Sequence, residues 1–216
     1  ALQYGVELVM YGEDGEVEYG GAMQHADRAS LSYDDFVKNR FSSVFPDTFK
    51  KYGLNEKDLQ KYGLSKSELL LIKENNIEQH FFSYYHKWVP QENYYYSVEN
   101  TDFEANPTRT EGTYTKYAGL DDKFDGFHFY LAYIKFGLGR TTSDTAHEIR
   151  DGHIDRDEAV ALINKYDGEF PRRYFDEVLA FLDITLEEFN EVVNQHRNKE
   201  IWKEENGKWE LRVPLN

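Results

Sequence analysis

The stretch Lys135-Phe136-Gly137-Leu138-Gly139-Arg140-Thr141-Thr142-Ser143-Asp144 gathers the residues best suited to chemistry. Its pattern predicts a helix ending at Lys135, a turn on two glycines, and hydroxyl residues opening the next helix. Helix N-termini carry unpaired N–H groups and a partial positive charge, so they receive anions. Glycine lets the backbone approach a ligand closely, and Lys135 and Arg140 add two cations. The expected ligand is a phosphate, held by Gly137, Gly139, Thr141, Thr142, Ser143 and Asp144 with the two cations. Two nucleotide motifs are excluded by spacing. Gly-Lys-Ser/Thr is absent, and Thr142 stands where the third glycine of a dinucleotide fingerprint belongs. A glycine turn followed by an ordinary Thr or Ser cap fits the same residues.

Other constellations are weaker. From His147 to Glu158 the chain mimics the end of a calcium loop, with Gly152 as its glycine. His147 and Ile149 fall where the first carboxylates belong, which an oxygen-seeking cation does not accept. Asp151 lies four residues after His147, so the zinc-helix spacing of two histidines also fails, and no metal is expected. Glu13, Glu16 and Glu18 follow a predicted strand, where open α/β sheets place ligands. Asp121, Asp122 and Asp125 precede an aromatic helix; loop solvation or helix capping accounts for both groups. The aromatic cluster Phe81, Phe82, Tyr84, Tyr85, Trp88, Tyr94, Tyr95 and Tyr96 reads as core and polar rim, or as a stacking surface for a sugar or base.

These residues sit in a chain of 216 residues with 25 Lys plus Arg and 40 Asp plus Glu, a formal charge of −15. Such acidity repels phosphate backbones and anionic lipid head groups, which argues against nucleic-acid and membrane partners. No apolar run approaches the roughly 20 residues of a membrane span, and no secretory leader is visible. Cysteine is absent, which removes disulfides, thiol nucleophiles and thiolate metal sites and fits a reducing, cytoplasmic setting.

The elements that must position the candidates are mostly helical. Leu2 to Tyr4 reads as a helix end capped by Gly5, and Val6 to Tyr11 as an apolar strand of a parallel sheet. This looks like the second half of an αβ unit, so earlier strands of the sheet are expected to be missing, leaving an edge open to self-association. Capping-box spacings start helices at Asn55/Asp58, Ser65/Glu68, Asp155/Glu158 and Thr185/Glu188. Ile77 to Tyr85 reads as a second strand and Pro90 to Asn100 as a short helix. A loop covers 101–122, with helices at 124–136 and 142–151. Pro171 is expected to open another helix, and Trp202 to Leu215 a short strand or turn. The expected fold class is α+β, predominantly helical. The organisation is a strand and ligand loop at 1–32 joined to a helical region at 33–216 as one compact unit.

Taken together, several segments resemble a known family. They are Tyr11-Gly12-Glu13 with Glu18-Tyr19-Gly20-Gly21, Phe82-Ser83-Tyr84-Tyr85 before Trp88, Glu111-Gly112-Thr113-Tyr114, and Asp121-Asp122. The most specific is Ile134-Lys135-Phe136-Gly137-Leu138-Gly139-Arg140. It leads into Thr142-Ser143-Asp144, His147 to Gly152, and Tyr166-Asp167-Gly168-Glu169-Phe170-Pro171. In this order they resemble the larger C-terminal part of the N-acetyl sugar amidotransferases of bacterial surface-polysaccharide and nonulosonic-acid pathways. The resemblance covers nearly the whole chain.

The resemblance implies an ATP-pyrophosphatase-like, Rossmann-like α/β enzyme. It would use ATP with Mg2+ to activate a sugar acetamido group and replace its oxygen with ammonia, giving an acetamidino group. A glutaminase subunit and a cyclase-like subunit would supply the ammonia, and the substrate would be a sugar or nucleotide-sugar. Lys135 and Arg140 would be catalytic. Glu13, Glu18, Tyr19, Gly20, Glu111 and Tyr114 would bind substrate. The family's Ser-Gly-Gly-x-Asp-Ser loop and N-terminal cysteine pairs are not in this sequence. This chain alone is therefore expected to be inactive and to hold no cofactor tightly. The alternative is a non-catalytic helical module that binds a glycan or a partner protein.

Overall fold

A computed structural model describes residues 1–12, 27–30, 46–59 and 65–215. The chain divides into two compact units, Ala1–Trp88 and Val89–Asn216, where the sequence suggested one. The boundary expected between 32 and 33 lies outside the described residues.

In the first unit a 3-10 turn at Leu2–Tyr4 ends on Gly5, whose φ of 62° is the left-handed cap the sequence called for. Strand β1 (Leu8–Tyr11) pairs in parallel with β2 (Glu78–Phe81), Leu8 opposite Glu78 and Tyr11 opposite Phe81. Parallel pairing matches the expectation, but burial does not, since Leu8 is 50% and Met10 44% exposed. A 3-10 stretch at Pro46–Tyr52 leads to α1 (Glu56–Leu59), and α2 (Lys66–Glu74) follows. Both helices start as predicted. Asp58 N–H donates to Asn55 and Asn55 N–H to Asp58, while Ser65 and Glu68 close a full capping box.

The second predicted strand is half the expected length. After Phe81 the chain turns into a short helix, α3 (Phe82–Tyr85), closed by His86 N–H on the Phe82 carbonyl. Aromatic residues favour strands because they fit a half-buried pleated surface. Phe82, Tyr84 and Tyr85 are exposed, so nothing rewards extending the sheet through them.

The second unit contains α4 (Pro90–Asn100), α5 (Asp125–Phe136), α6 (Arg140–Asp151), α7 (Arg156–Tyr166), α8 (Phe175–Leu182) and α9 (Leu186–His196). An antiparallel hairpin, β3 (Trp202–Glu205) and β4 (Lys208–Leu211), follows. Its core joins Phe127 and Ile134 of α5, Val178 of α8, and Phe189 and Val193 of α9, with Phe170 and Phe175 packed against them. Edge-to-face ring pairs such as Phe127 on Phe170 and Phe170 on Phe175 account for much of the aromatic content. Trp202 anchors the hairpin by donating its indole N–H to the Ile134 carbonyl at 2.8 Å.

Pro171 does not open α8, which begins at Phe175. The Glu111 carboxylate accepts the N–H groups of Arg172 (3.0 Å) and Arg173 (3.1 Å), holding this segment as a turn against the 101–124 loop. Among the described residues no helix is long and apolar enough to cross a membrane.

Candidate functional site

The glycine turn forms where the sequence placed it. Gly137 caps α5 with φ +74°, its N–H on the Tyr133 carbonyl, and α6 starts at Arg140. The anion at this helix N-terminus, however, belongs to the protein. The Asp167 carboxylate accepts from Gly139 N–H (3.0 Å), Thr142 N–H (3.2 Å) and the Thr142 hydroxyl (2.5 Å). A methyl group on Gly139 would lie 2.6 Å from Asp167 Oδ1, so the carboxylate fills the space that glycine leaves. Thr141 is fully buried and donates to the Gly112 carbonyl at 2.7 Å. The N–H groups of Gly139 and Thr142 and the hydroxyls of Thr141 and Thr142, expected to hold a phosphate, are used inside the fold.

Arg140 is likewise engaged. Its Nε donates to Asp144 Oδ1 at 3.0 Å, its Nη1 lies 3.5 Å from Asp125 Oδ2, and its guanidinium stacks on Phe129. Asp144 also accepts the buried Thr113 hydroxyl at 2.5 Å. It is therefore an anchor for Arg140 and the 111–115 loop. Burial pushes the Asp144 carboxyl above the usual range, and the pull of Arg140 and Thr113 only partly offsets this. Lys135 lies elsewhere, at the exposed end of α5, with its ammonium over the Phe136 ring. Ser143 is exposed on α6.

Of the expected substrate residues, Tyr114 and Glu111 are described. The Tyr114 hydroxyl is buried with no hydrogen-bond partner among the described residues. Burial pushes its phenol up, and the nearby Glu148 and Asp144 push the same way. Tyr117 is raised to about 12 by the same causes, and stacks on Tyr94 of α4 with ring centroids 4.5 Å apart. Tyr94 is thus packing, while Tyr95 and Tyr96 are exposed. Glu111 is spent on the backbone of Arg172 and Arg173. Glu13, Glu18, Tyr19 and Gly20 lie outside the described residues.

Sequence reasoning missed Asp167, Arg109 and Glu169. The Arg109 guanidinium forms a bidentate pair with Glu169 at 2.6 and 2.7 Å, and Glu169 also accepts Gly112 N–H at 2.8 Å. Both acids lie in Tyr166-Asp167-Gly168-Glu169-Phe170-Pro171, a block noted only for its resemblance. Two carboxylates flanking a glycine were the available signal. Together they tie the glycine turn, the 109–113 loop and the end of α7 into one polar knot.

No curated protein matches this chain. Residues 111–214, which begin at Glu111 and contain the whole knot except Arg109 and Thr110, match the family model described as "LPS biosynthesis protein WbpG-like, C-terminal domain". Over these residues the chain is therefore similar to the C-terminal domain of WbpG-like lipopolysaccharide biosynthesis proteins.

Proposed function

We propose that this chain is the C-terminal part of an ATP-dependent amidotransferase that converts an N-acetyl sugar's acetamido group to acetamidino in lipopolysaccharide biosynthesis. The observation that carries the reading is the family match over residues 111–214, which includes the specific Lys135-Phe136-Gly137-Leu138-Gly139-Arg140 block. An ATP-pyrophosphatase-like fold for the intact enzyme, a cytoplasmic setting, and glutaminase and cyclase-like partners come with the same reading.

An amide oxygen is a poor leaving group, so ATP supplies the activation that lets ammonia displace it. Ammonia is the nucleophile, which suits a chain with no Ser-His-Asp or Cys-His arrangement in its motifs. No step at the phosphates is assigned to the glycine turn, because Asp167 already fills it. Within this chain Arg140 is a positioning residue: it fixes Asp144, and with it the loop that carries Tyr114. The Tyr114 hydroxyl is one polar group that the described residues leave without a hydrogen-bond partner. A buried polar group without a partner costs about 1–3 kcal/mol, which a ligand hydrogen bond would offset.

The test uses the complete natural protein with ATP, Mg2+, N-acetyl sugars and either ammonia or the glutaminase partner. Mass spectrometry should find the sugar with NH in place of oxygen, alongside AMP and pyrophosphate. Sugar recovered unchanged from folded protein across a broad substrate panel would sink the reading.

A further inference from the structure

The second unit holds a cavity of about 400 Å³ between the 106–123 loop, the start of α5 and the turn at Pro171–Tyr174. That is within the usual size range of small-molecule sites. Its charged lining consists of Arg109, Lys123 and Arg173 with Glu111, Asp121 and Asp122. Three cations face three carboxylates, a balanced wall in a chain of net charge −15. Phe127 and Pro171, both buried, add an apolar surface.

Most of this wall is held in place. Glu169 fixes Arg109, and two backbone N–H groups fix Glu111. Asp122 accepts Phe124 N–H at 2.7 Å, and Lys123 reaches Glu177 at 2.5 Å. Two groups have no hydrogen bond or ion pair among the described residues. The Asp121 carboxylate is one; the Arg173 guanidinium, which lies over the Tyr174 ring, is the other. The cavity therefore offers a free acceptor and a free donor beside prefixed polar neighbours, which lowers the cost of ordering side chains on binding.

We propose that this cavity binds the ring of a neutral saccharide, with Asp121 accepting from a hydroxyl and Arg173 donating to a ring substituent. An anion is disfavoured, because it would face three carboxylates while two of the three cations are already neutralised. A wholly apolar ligand would strand the polar wall without partners. A sugar supplies hydroxyls that both donate and accept, and a C–H face for Phe127 and Pro171. That the sugar carries an acetamido group rests on the amidotransferase reading; the location and the ligand class do not.

The experiment titrates this chain with N-acetylglucosamine, N-acetylgalactosamine and N-acetylmannosamine, read by saturation-transfer NMR and calorimetry. At least one should bind, and Asp121→Asn and Arg173→Gln should each weaken it about tenfold, the loss of roughly one hydrogen bond to a charged group. Both positions are exposed, so melting temperatures should stay at the wild-type value. Three results would overturn the proposal: no sugar binding up to the solubility limit, binding unaffected by either variant, or displacement of the sugar by inorganic phosphate. The amidotransferase reading fails separately, when the complete protein binds sugar here and does not convert it.

Discussion

The glycine turn and the cavity are both polar, both in the second unit, and opposite in character. At the turn, Asp167, Thr141 and Thr142 bond inward, and Arg140 is shared between Asp144 and Asp125. In the cavity, the fixed residues frame Asp121 and Arg173, whose side chains have no hydrogen bond or ion pair among the described residues. The difference teaches that a motif rich in glycine, hydroxyls and cations can be a structural joint. A functional surface is marked instead by polar groups that the fold leaves without partners.

The largest effect that would break this comparison is at Asp167. Asp167→Ala removes three hydrogen bonds to a charged acceptor and should cost about 3 kcal/mol, lowering the melting temperature by roughly 10 °C. It also frees the α6 N-terminus. Added inorganic phosphate should then raise the melting temperature of the variant and leave the wild type unchanged. Phosphate stabilising the wild type equally would restore the turn as an anion site.

Arg140→Ala comes next. It leaves Asp144, whose side chain is 16% exposed, without its cation. The expected loss is about 2 kcal/mol, less than for a fully buried pair because Arg140 itself is 27% exposed. Arg140→Lys should recover only part of it, since an ammonium lacks the guanidinium fork. A thermal scan showing no loss of stability, together with lost turnover in the complete enzyme, would return Arg140 to a direct ligand role.

A smaller effect concerns pH. The Arg109 guanidinium holds the Glu169 carboxyl below its ordinary value, with Gly112 N–H helping. A depressed acid stabilises the fold above its unfolded pKa, and that contribution is lost as pH falls through the folded value. Asp144 has the opposite sign: its raised pKa favours the fold at low pH and the contribution fades as pH rises through the folded value. Denaturation curves across the acid range should therefore be flatter for Glu169→Gln and steeper for Asp144→Asn. The Glu169 effect should be about 1 kcal/mol or less, because both partners are about one-third exposed. Identical pH slopes in all three proteins would contradict the assigned pairings.

The smallest expected effect is on the cavity side. Asp121→Asn and Arg173→Gln should change stability by no more than about 0.5 kcal/mol, as exposed positions without partners do. A loss above about 1 kcal/mol in chemical denaturation would make these residues structural and erase the contrast with the turn.

What the sequence determined by itself was local. Ser65 with Glu68, Asp155 with Glu158, and Thr185 with Glu188 all form reciprocal capping boxes, because both partners lie within one helical turn. Gly137 and Gly152 end α5 and α6 with positive φ for the same local reason. The family resemblance of the C-terminal part was also legible, since it rests on short contiguous blocks. Tertiary structure alone decided what those blocks do. Asp167 reaches Gly139 from 28 residues away, and Glu169 reaches Arg109 from 60. With 40 acidic residues in the chain, no spacing rule selects which carboxylate meets which N–H or guanidinium. That choice is made when α5, α8 and α9 close on the phenylalanine core and bring the end of α7 against the glycine turn. The anion the helix N-terminus required was readable from sequence; that the protein supplies it from its own chain was settled by packing.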